Sequence, residues 1–253
     1  RSSRGPCAIR AYQPKSVLAR VLFEPRPALS DSATYDITAW EQHYAYGLNG
    51  YALTDRIEPV EAQGPEKEVD NSFSGTPYAY LAEWKDPADV AMLAALLREN
   101  IRVRFAEHAF RIDGHNYKPG TLIITRSGNS QMKAGFDRIV REIATAHQQQ
   151  LYPASTGFVT AGPDFGSSAV SYLKAPRVAL LSGPDTNPYT VGEIWHYFDR
   201  QINYPVTLID TDRFGSIGLY NYDLLILPSG DYSEVIPEHR LETIRQWISD
   251  GGK

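Results

Sequence analysis

The chain has 253 residues, of which 42% are hydrophobic and 22% are charged, and its formal net charge is -5. This balance is typical of a globular protein with one large domain or two ordinary ones. The charges are interspersed, which excludes the basic stripe of a nucleic-acid-binding protein, and no apolar run is long enough to span a bilayer.

Residues 1–75 form a tyrosine-rich connecting segment with short predicted strands. The apolar run 17–23 predicts a strand that ends before Pro25, and residues 44–53 predict a short helix, a turn and a strand. The first residues lack the apolar core of a signal peptide, so we expect an internal piece of a longer protein. Cys7 is the only cysteine, and its proline-flanked position favours neither a nucleophile nor a zinc ligand.

Residues 76–152 predict a small α/β module. Strands are expected at 78–82, 101–105 and 121–124. A helix is expected to begin at Asp86 and Pro87, where aspartate caps and proline fits the first turn, and to end at Asn100. Its apolar face would comprise Val90, Leu93, Ala94 and Leu97. The apolar face of a second helix would comprise Phe136, Ile139, Val140 and Ile143.

Residues 153–176 are rich in glycine, serine and proline and predict a linker. Residues 177–253 then predict a doubly wound parallel sheet, with strands at 177–181, 206–209 and 223–227 separated by helices. The first helix has a capping-box pattern at Thr190 and Glu193, and its expected core face is Val191, Ile194, Trp195, Phe198 and Ile202. The second helix would bury Leu241, Ile244, Trp247 and Ile248 and stop at Gly251. Because three strands and two helices leave apolar sheet uncovered, we expect this domain to be truncated at Lys253.

The loops that follow the first and third of these strands form the candidate ligand site. Doubly wound sheets bind ligands where strands end and helices begin. The candidate crevice comprises Ser182, Gly183, Asp185, Ser229 and Gly230. No glycine-rich phosphate-binding motif accompanies it, so the sequence favours an ordinary strand-to-helix turn over a ligand site here.

The histidines do not predict a metal centre. His239 and Glu242 form a bare His-x-x-Glu, but no further histidine follows to complete a zinc site, so a chance match is favoured. The other histidines are scattered without ligand spacing. We therefore assign no catalytic and no metal-binding residue to this chain.

Two stretches of the chain resemble known proteins. Residues 35–40 and 46–52 resemble a segment that follows the catalytic domain in large exported bacterial proteins of the zinc carboxypeptidase family. Residues 177–195 and 223–230 resemble the class I glutamine amidotransferase-like domain at the end of many of them. The resemblance implies a flavodoxin-like parallel sheet, secretion or a periplasmic location, and zinc bound only in an upstream domain.

The resemblance implies an accessory, non-catalytic carboxyl-terminal region whose partner is the upstream peptidase domain of the same parent. That parent would remove carboxyl-terminal residues from peptides. One alternative is an independent α/β module that binds a peptide or a glycan in the crevice. Another is an amidotransferase-like hydrolase whose nucleophile lies beyond Lys253. Whether the chain itself is an enzyme stays open at this point.

Overall fold

A computed structural model describes residues 8–24, 42–45, 48–55, 58, 69–85 and 87–253. The chain divides into two compact units, Arg1–Val69 with Lys85–Pro87 and Asp70–Trp84 with Ala88–Lys253. Cys7, Asp86 and residues 35–40, which carry some of the sequence predictions, lie outside the described residues. None of the described helices has the length and apolar character needed to cross a membrane.

The described part of the first unit contains two helices, α1 (Ser16–Phe23) and α2 (Gln42–Ala45). The strand predicted at 17–23 is wrong, since this run is α1. Its leucines, alanine and arginine are good helix formers, and Val17 and Leu18 are exposed instead of alternating into a sheet. Phe23 stacks on His43 of α2, with the ring centroids 6.1 Å apart. The expected short helix is α2, but residues 48–53 form no strand.

The second unit begins with a five-stranded antiparallel sheet of order β6-β1-β5-β2-β7. Its strands, with a separate two-stranded hairpin, are β1 (Ala79–Ala82), β2 (Arg104–Ala106), β3 (Phe110–Ile112), β4 (His115–Tyr117), β5 (Leu122–Thr125), β6 (Tyr152–Ala154) and β7 (Val170–Tyr172). The central strands β1 and β5 are fully buried, and Leu81 lies opposite Ile123. This register places successive side chains on alternate faces.

Each face of this sheet has its own apolar core. One face packs against α3 (Pro87–Arg98) and α4 (Phe136–Ala146), with Met92, Phe136 and Val140 buried. The other face packs against the β3–β4 hairpin, with Phe110 and Phe165 buried. Of the four residues predicted for the apolar face of α3, only Ala94 is buried. The helix packs on two sides and not one, so its buried residues do not form the single predicted stripe.

The segment 153–176 is not the predicted linker. It contributes β7 to the edge of the five-stranded sheet, where Val170 lies opposite Ala106. Phe165 is 1% exposed and meets Phe110 edge to face, with the ring centroids 5.8 Å apart. Small and turn-forming residues therefore surround a well-packed aromatic side chain in this segment.

The chain ends in a three-stranded parallel sheet of order β10-β8-β9. Its elements are β8 (Val178–Ser182), α5 (Pro188–His196), β9 (Val206–Asp210), β10 (Leu224–Ile226) and α6 (Glu238–Ser249). The predicted α/β class is thus confirmed. Leu181, Ile209 and Trp247 belong to one core beneath this sheet.

Helix α6 ends as the glycines predicted. Gly251 has φ +104°, a backbone conformation suited to glycine, and the Gly252 N–H donates to the Trp247 carbonyl at 2.9 Å. The Lys253 N–H then donates to Asp223 O, and the Leu225 N–H donates to Lys253 O. This is the hydrogen-bond pattern of a parallel ladder beside β10. Trp247 is buried as predicted, whereas Leu241 and Ile248 are exposed.

Candidate functional site

The five residues of the candidate crevice lie at one edge of the parallel sheet. Ser182 is the last residue of β8, and Gly183 and Asp185 belong to the turn that follows it. Ser229 and Gly230 follow β10, which pairs with β8. The structure therefore brings all five together, as expected for the carboxyl ends of neighbouring parallel strands.

Main-chain hydrogen bonds join the two loops directly. The Asn187 N–H donates to the Ser229 carbonyl at 2.7 Å, and the Asp231 N–H donates to the Asp185 carbonyl at 2.9 Å. Between them, Thr186 and Gly230 form an antiparallel bridge. We call residues 183–187 and 229–231 the interlocked loops, because each satisfies backbone groups of the other.

Gly230 permits this close approach, and Gly183 permits the turn after β8 to pass close to Thr211. A Cβ atom on Gly230 would clash with the Asp185 carbonyl oxygen. Gly183 has φ +147°, and a Cβ atom there would clash with the Thr211 hydroxyl. The Thr186 hydroxyl accepts from the Gly183 N–H at 3.0 Å and donates to the Gly183 carbonyl at 2.8 Å. The turn after β8 is therefore held by its own side chain as well as by the opposite loop.

Helix α5 starts three residues earlier than the sequence predicted. Its cap is Asn187, whose side-chain oxygen accepts from the Tyr189 N–H at 2.9 Å and from the Thr190 N–H at 3.3 Å. Pro188 occupies the first helical turn, where its missing N–H costs nothing. The capping box predicted at Thr190 and Glu193 is wrong because an asparagine followed by proline is a stronger start signal.

The opposite ends of β8 and β10 are tied by charge. The Asp223 carboxylate accepts from both the backbone N–H and the Nε of Arg177 at 2.9 Å, and Lys174 Nζ lies 2.5 Å from it. The hydrogen bonds from Arg177, followed by that from Lys174, hold the pKa of Asp223 well below its usual range. We call Lys174, Arg177 and Asp223 the charge clamp. The β8–β10 pair is thus fastened at both ends.

The described residues contain no group of three or more histidine, cysteine, aspartate or glutamate side chains placed to hold a metal ion. Glu242, the acidic member of the His-x-x-Glu pattern, is exposed and lies 3.4 Å from Arg245. The interlocked loops supply hydroxyl, carboxylate and amide groups, which can form hydrogen bonds to a ligand. The binding of a ligand by the five predicted residues stays a prediction.

Trp195 is one of the predicted core residues that the structure leaves exposed. It was predicted to lie in the core, yet it is 44% exposed, while Val191, Ile194 and Phe198 are half-buried. Trp195 is four residues from Val191 and shares a helix face with it, but Tyr197 and Phe198 are the residues that pack toward α3, and this contact does not cover Trp195.

No protein-family model matches this chain, and neither a curated protein nor a solved structure matches it.

Proposed function

We propose that this chain is an accessory, non-catalytic region of an exported zinc metallocarboxypeptidase-like protein. Its role is structural, and it positions peptide substrate for an upstream domain of the same parent that holds the zinc. The sequence resemblance supports the parentage. The contacts that join β8 to β10 at both ends of the parallel sheet support the scaffold role.

The observation that carries the scaffold role is the fastening of β8 to β10 at both ends. At the edge where doubly wound sheets place ligands, the Asn187 and Asp231 N–H groups close the interlocked loops onto each other. At the other edge, the charge clamp joins Arg177 to Asp223. Backbone groups that are paired in this way resist local opening, which suits a support.

This arrangement suits a support better than an active site. Catalytic loops generally need an accessible nucleophile or base and room for a substrate. Here Gly230 lets main chain occupy the space between the loops, since any side chain at that position would meet the Asp185 carbonyl. The Thr186 hydroxyl and the Asp231 carboxylate form hydrogen bonds within their own turns, and these bonds stabilise the loops.

The experiment compares the whole gene product with a version that lacks residues 1–253 of this chain. Release of carboxyl-terminal amino acids from a set of peptides is measured, together with zinc content. The accessory role predicts that the deletion raises KM at least threefold while zinc stays at one equivalent. Unchanged kinetics would contradict substrate positioning, and a gene without an upstream zinc-peptidase domain would contradict the parentage.

A further inference from the structure

A small cavity lies beside the exposed Trp195. Its volume is about 210 Å³, and it is lined by Arg98, Trp195, Asp199, Asn203, Tyr204 and Val206. We call it the Trp195 pocket. It is separate from the interlocked loops, since Trp195 lies near the carboxyl end of α5 and Asn187 caps the other end.

The local fold explains why a tryptophan faces solvent here. After α5 the chain continues as a π-helical turn, Tyr197–Gln201, a rare feature that is frequent at functional sites. Tyr197 and Phe198 pack toward Ala91 and Ala94 of α3. These two aromatic side chains anchor the helix and leave the Trp195 ring on the open side.

Part of the Trp195 indole stays in contact with water, because the neighbouring side chains do not cover it. Removing the apolar surface of an aromatic side chain from water is favourable, and 44% of Trp195 stays exposed. An exposed ring in a concave site, with polar groups around it, is the arrangement of a binding surface.

The rim of the pocket supplies hydrogen-bonding groups of both charges. Arg98 Nη1 donates to the Asn203 carbonyl at 3.0 Å, which fixes the guanidinium at the rim. Asp199 lies 4.0 Å from Arg200 in an exposed pair, and such pairs contribute little. Within the described part of the chain, the Asn203 side chain forms no hydrogen bond. Asn203 has φ +49°, so its backbone is held in the left-handed region.

We propose that the Trp195 pocket binds one ring of a neutral saccharide, stacked on the indole. A pyranose ring has an apolar C–H face and hydroxyl groups at its edge. The indole suits the face, and the planar carboxylate, amide and guanidinium groups suit pairs of neighbouring hydroxyls. The lining carries one cationic side chain, Arg98, and one anionic side chain, Asp199, which favours an uncharged ligand. Drug-sized ligands use pockets of about 300 Å³ or more, so a single ring fits this smaller one.

The test uses the whole chain and three uncharged probes, namely maltose, cellobiose and N,N′-diacetylchitobiose, with adenosine as a non-saccharide ring. Binding is followed by tryptophan fluorescence and by saturation-transfer NMR. We expect at least one saccharide to bind and Trp195→Ala to weaken that binding at least tenfold. The matched control is Trp84→Ala, because Trp84 is 40% exposed, and we expect unchanged affinity.

Urea midpoints of both variants report whether they fold. Asp199→Asn keeps a planar hydrogen-bonding group and should retain saccharide binding within threefold, whereas Asp199→Leu should weaken it at least fivefold. The proposal is overturned if no saccharide binds, if folded Trp195→Ala binds as well as the parent sequence, or if only adenosine binds. None of these results bears on the accessory role, which is tested by peptide hydrolysis.

Discussion

At the scale of single residues, Asp137 is the centre of a polar network at the edge of the first core. It accepts from Arg126 Nη1 at 2.8 Å, from Arg126 Nη2 at 2.6 Å and from the Tyr80 hydroxyl at 2.7 Å. The hydrogen bonds from Arg126 lower the pKa of Asp137. Burial and the bond to Asp137 raise the pKa of Tyr80. One carboxylate thus ties β1 to the start of α4.

Replacing this carboxylate should destabilise the fold. Hydrogen bonds to charged groups contribute about 1.5–3 kcal/mol each when partly buried, and Asp137→Asn keeps one oxygen as an acceptor. We therefore expect a loss of about 1–2 kcal/mol in the free energy of unfolding at pH 7, measured by urea denaturation. Glu142→Gln is the matched control, because Glu142 pairs with Arg138 on the exposed face of α4. Its loss should stay below about 0.5 kcal/mol.

The effect of Asp137→Asn should depend on pH. The pKa of Asp137 is lower in the folded state than in the unfolded chain, where it is about 3.9. Its stabilisation is therefore complete above that value and is lost as the pH falls through the folded-state pKa. The difference between Asp137→Asn and the parent sequence should be constant down to about pH 5 and should shrink as the pH is lowered through the acid range below about 3.9. A difference that stays constant over this range would contradict the ion pair.

Gly230 provides a second test at this scale. Gly230→Ala would place a methyl group against the Asp185 carbonyl, and overpacking of this kind costs about 1–3 kcal/mol. Gly192 in α5 has open space where its Cβ would lie, so Gly192→Ala should stabilise the protein by about 0.5–1 kcal/mol. Thermal and urea unfolding of the two variants measure both changes. Equal stability of the two would show that the loops are not interlocked.

At the scale of elements, the packing of residues 153–176 is the largest departure from the sequence prediction. We expect Phe165→Ala to cost about 3–5 kcal/mol, as for other buried phenylalanines, because its ring fills the core beneath β3 and β4. Phe158→Ala is the control, since Phe158 is 78% exposed, and it should change stability by less than about 0.5 kcal/mol. Urea unfolding measures both. If Phe165→Ala changed the stability as little as Phe158→Ala, the linker interpretation of residues 153–176 would be restored.

Strong local signals predicted elements well, and tertiary packing explains where they failed. The three parallel strands follow from short apolar runs, and the stop of α6 follows from Gly251. In contrast, α1 was predicted as a strand, because seven apolar-rich residues fit either period. The β3–β4 hairpin was missed although Asp113 and Gly114 have φ of +50° and +77° and form a dipeptide favoured in two-residue turns.

The sequence predicts where the loops of the candidate site lie, but it does not predict the contact between them. Position followed from topology, since the ends of neighbouring parallel strands must meet. The contact between the loops could not be predicted, because it depends on where the Asp185 and Ser229 carbonyls point. Trp195 was assigned to the core for a similar reason. Only the packing of Tyr197 and Phe198 on α3 decides which side of the helix is covered.

At the scale of the whole molecule, the second unit joins an antiparallel and a parallel sheet through α3. The helix contributes Met92 and Leu96 to the first core and Ala91 and Ala94 to a cluster with Ile202. A helix buried on two sides cannot shift without disturbing both contacts. The two sheets therefore support each other, as the proposed accessory role requires.

The most direct test of that role is the chemistry of the isolated chain. The purified protein is incubated with excess zinc, dialysed and analysed for bound metal, and release of carboxyl-terminal residues from peptides is then measured. We expect well under 0.2 equivalents of zinc, on the order of nonspecific binding to scattered histidines, and no release above buffer. One tightly held equivalent of zinc, together with zinc-dependent peptide hydrolysis, would contradict the account.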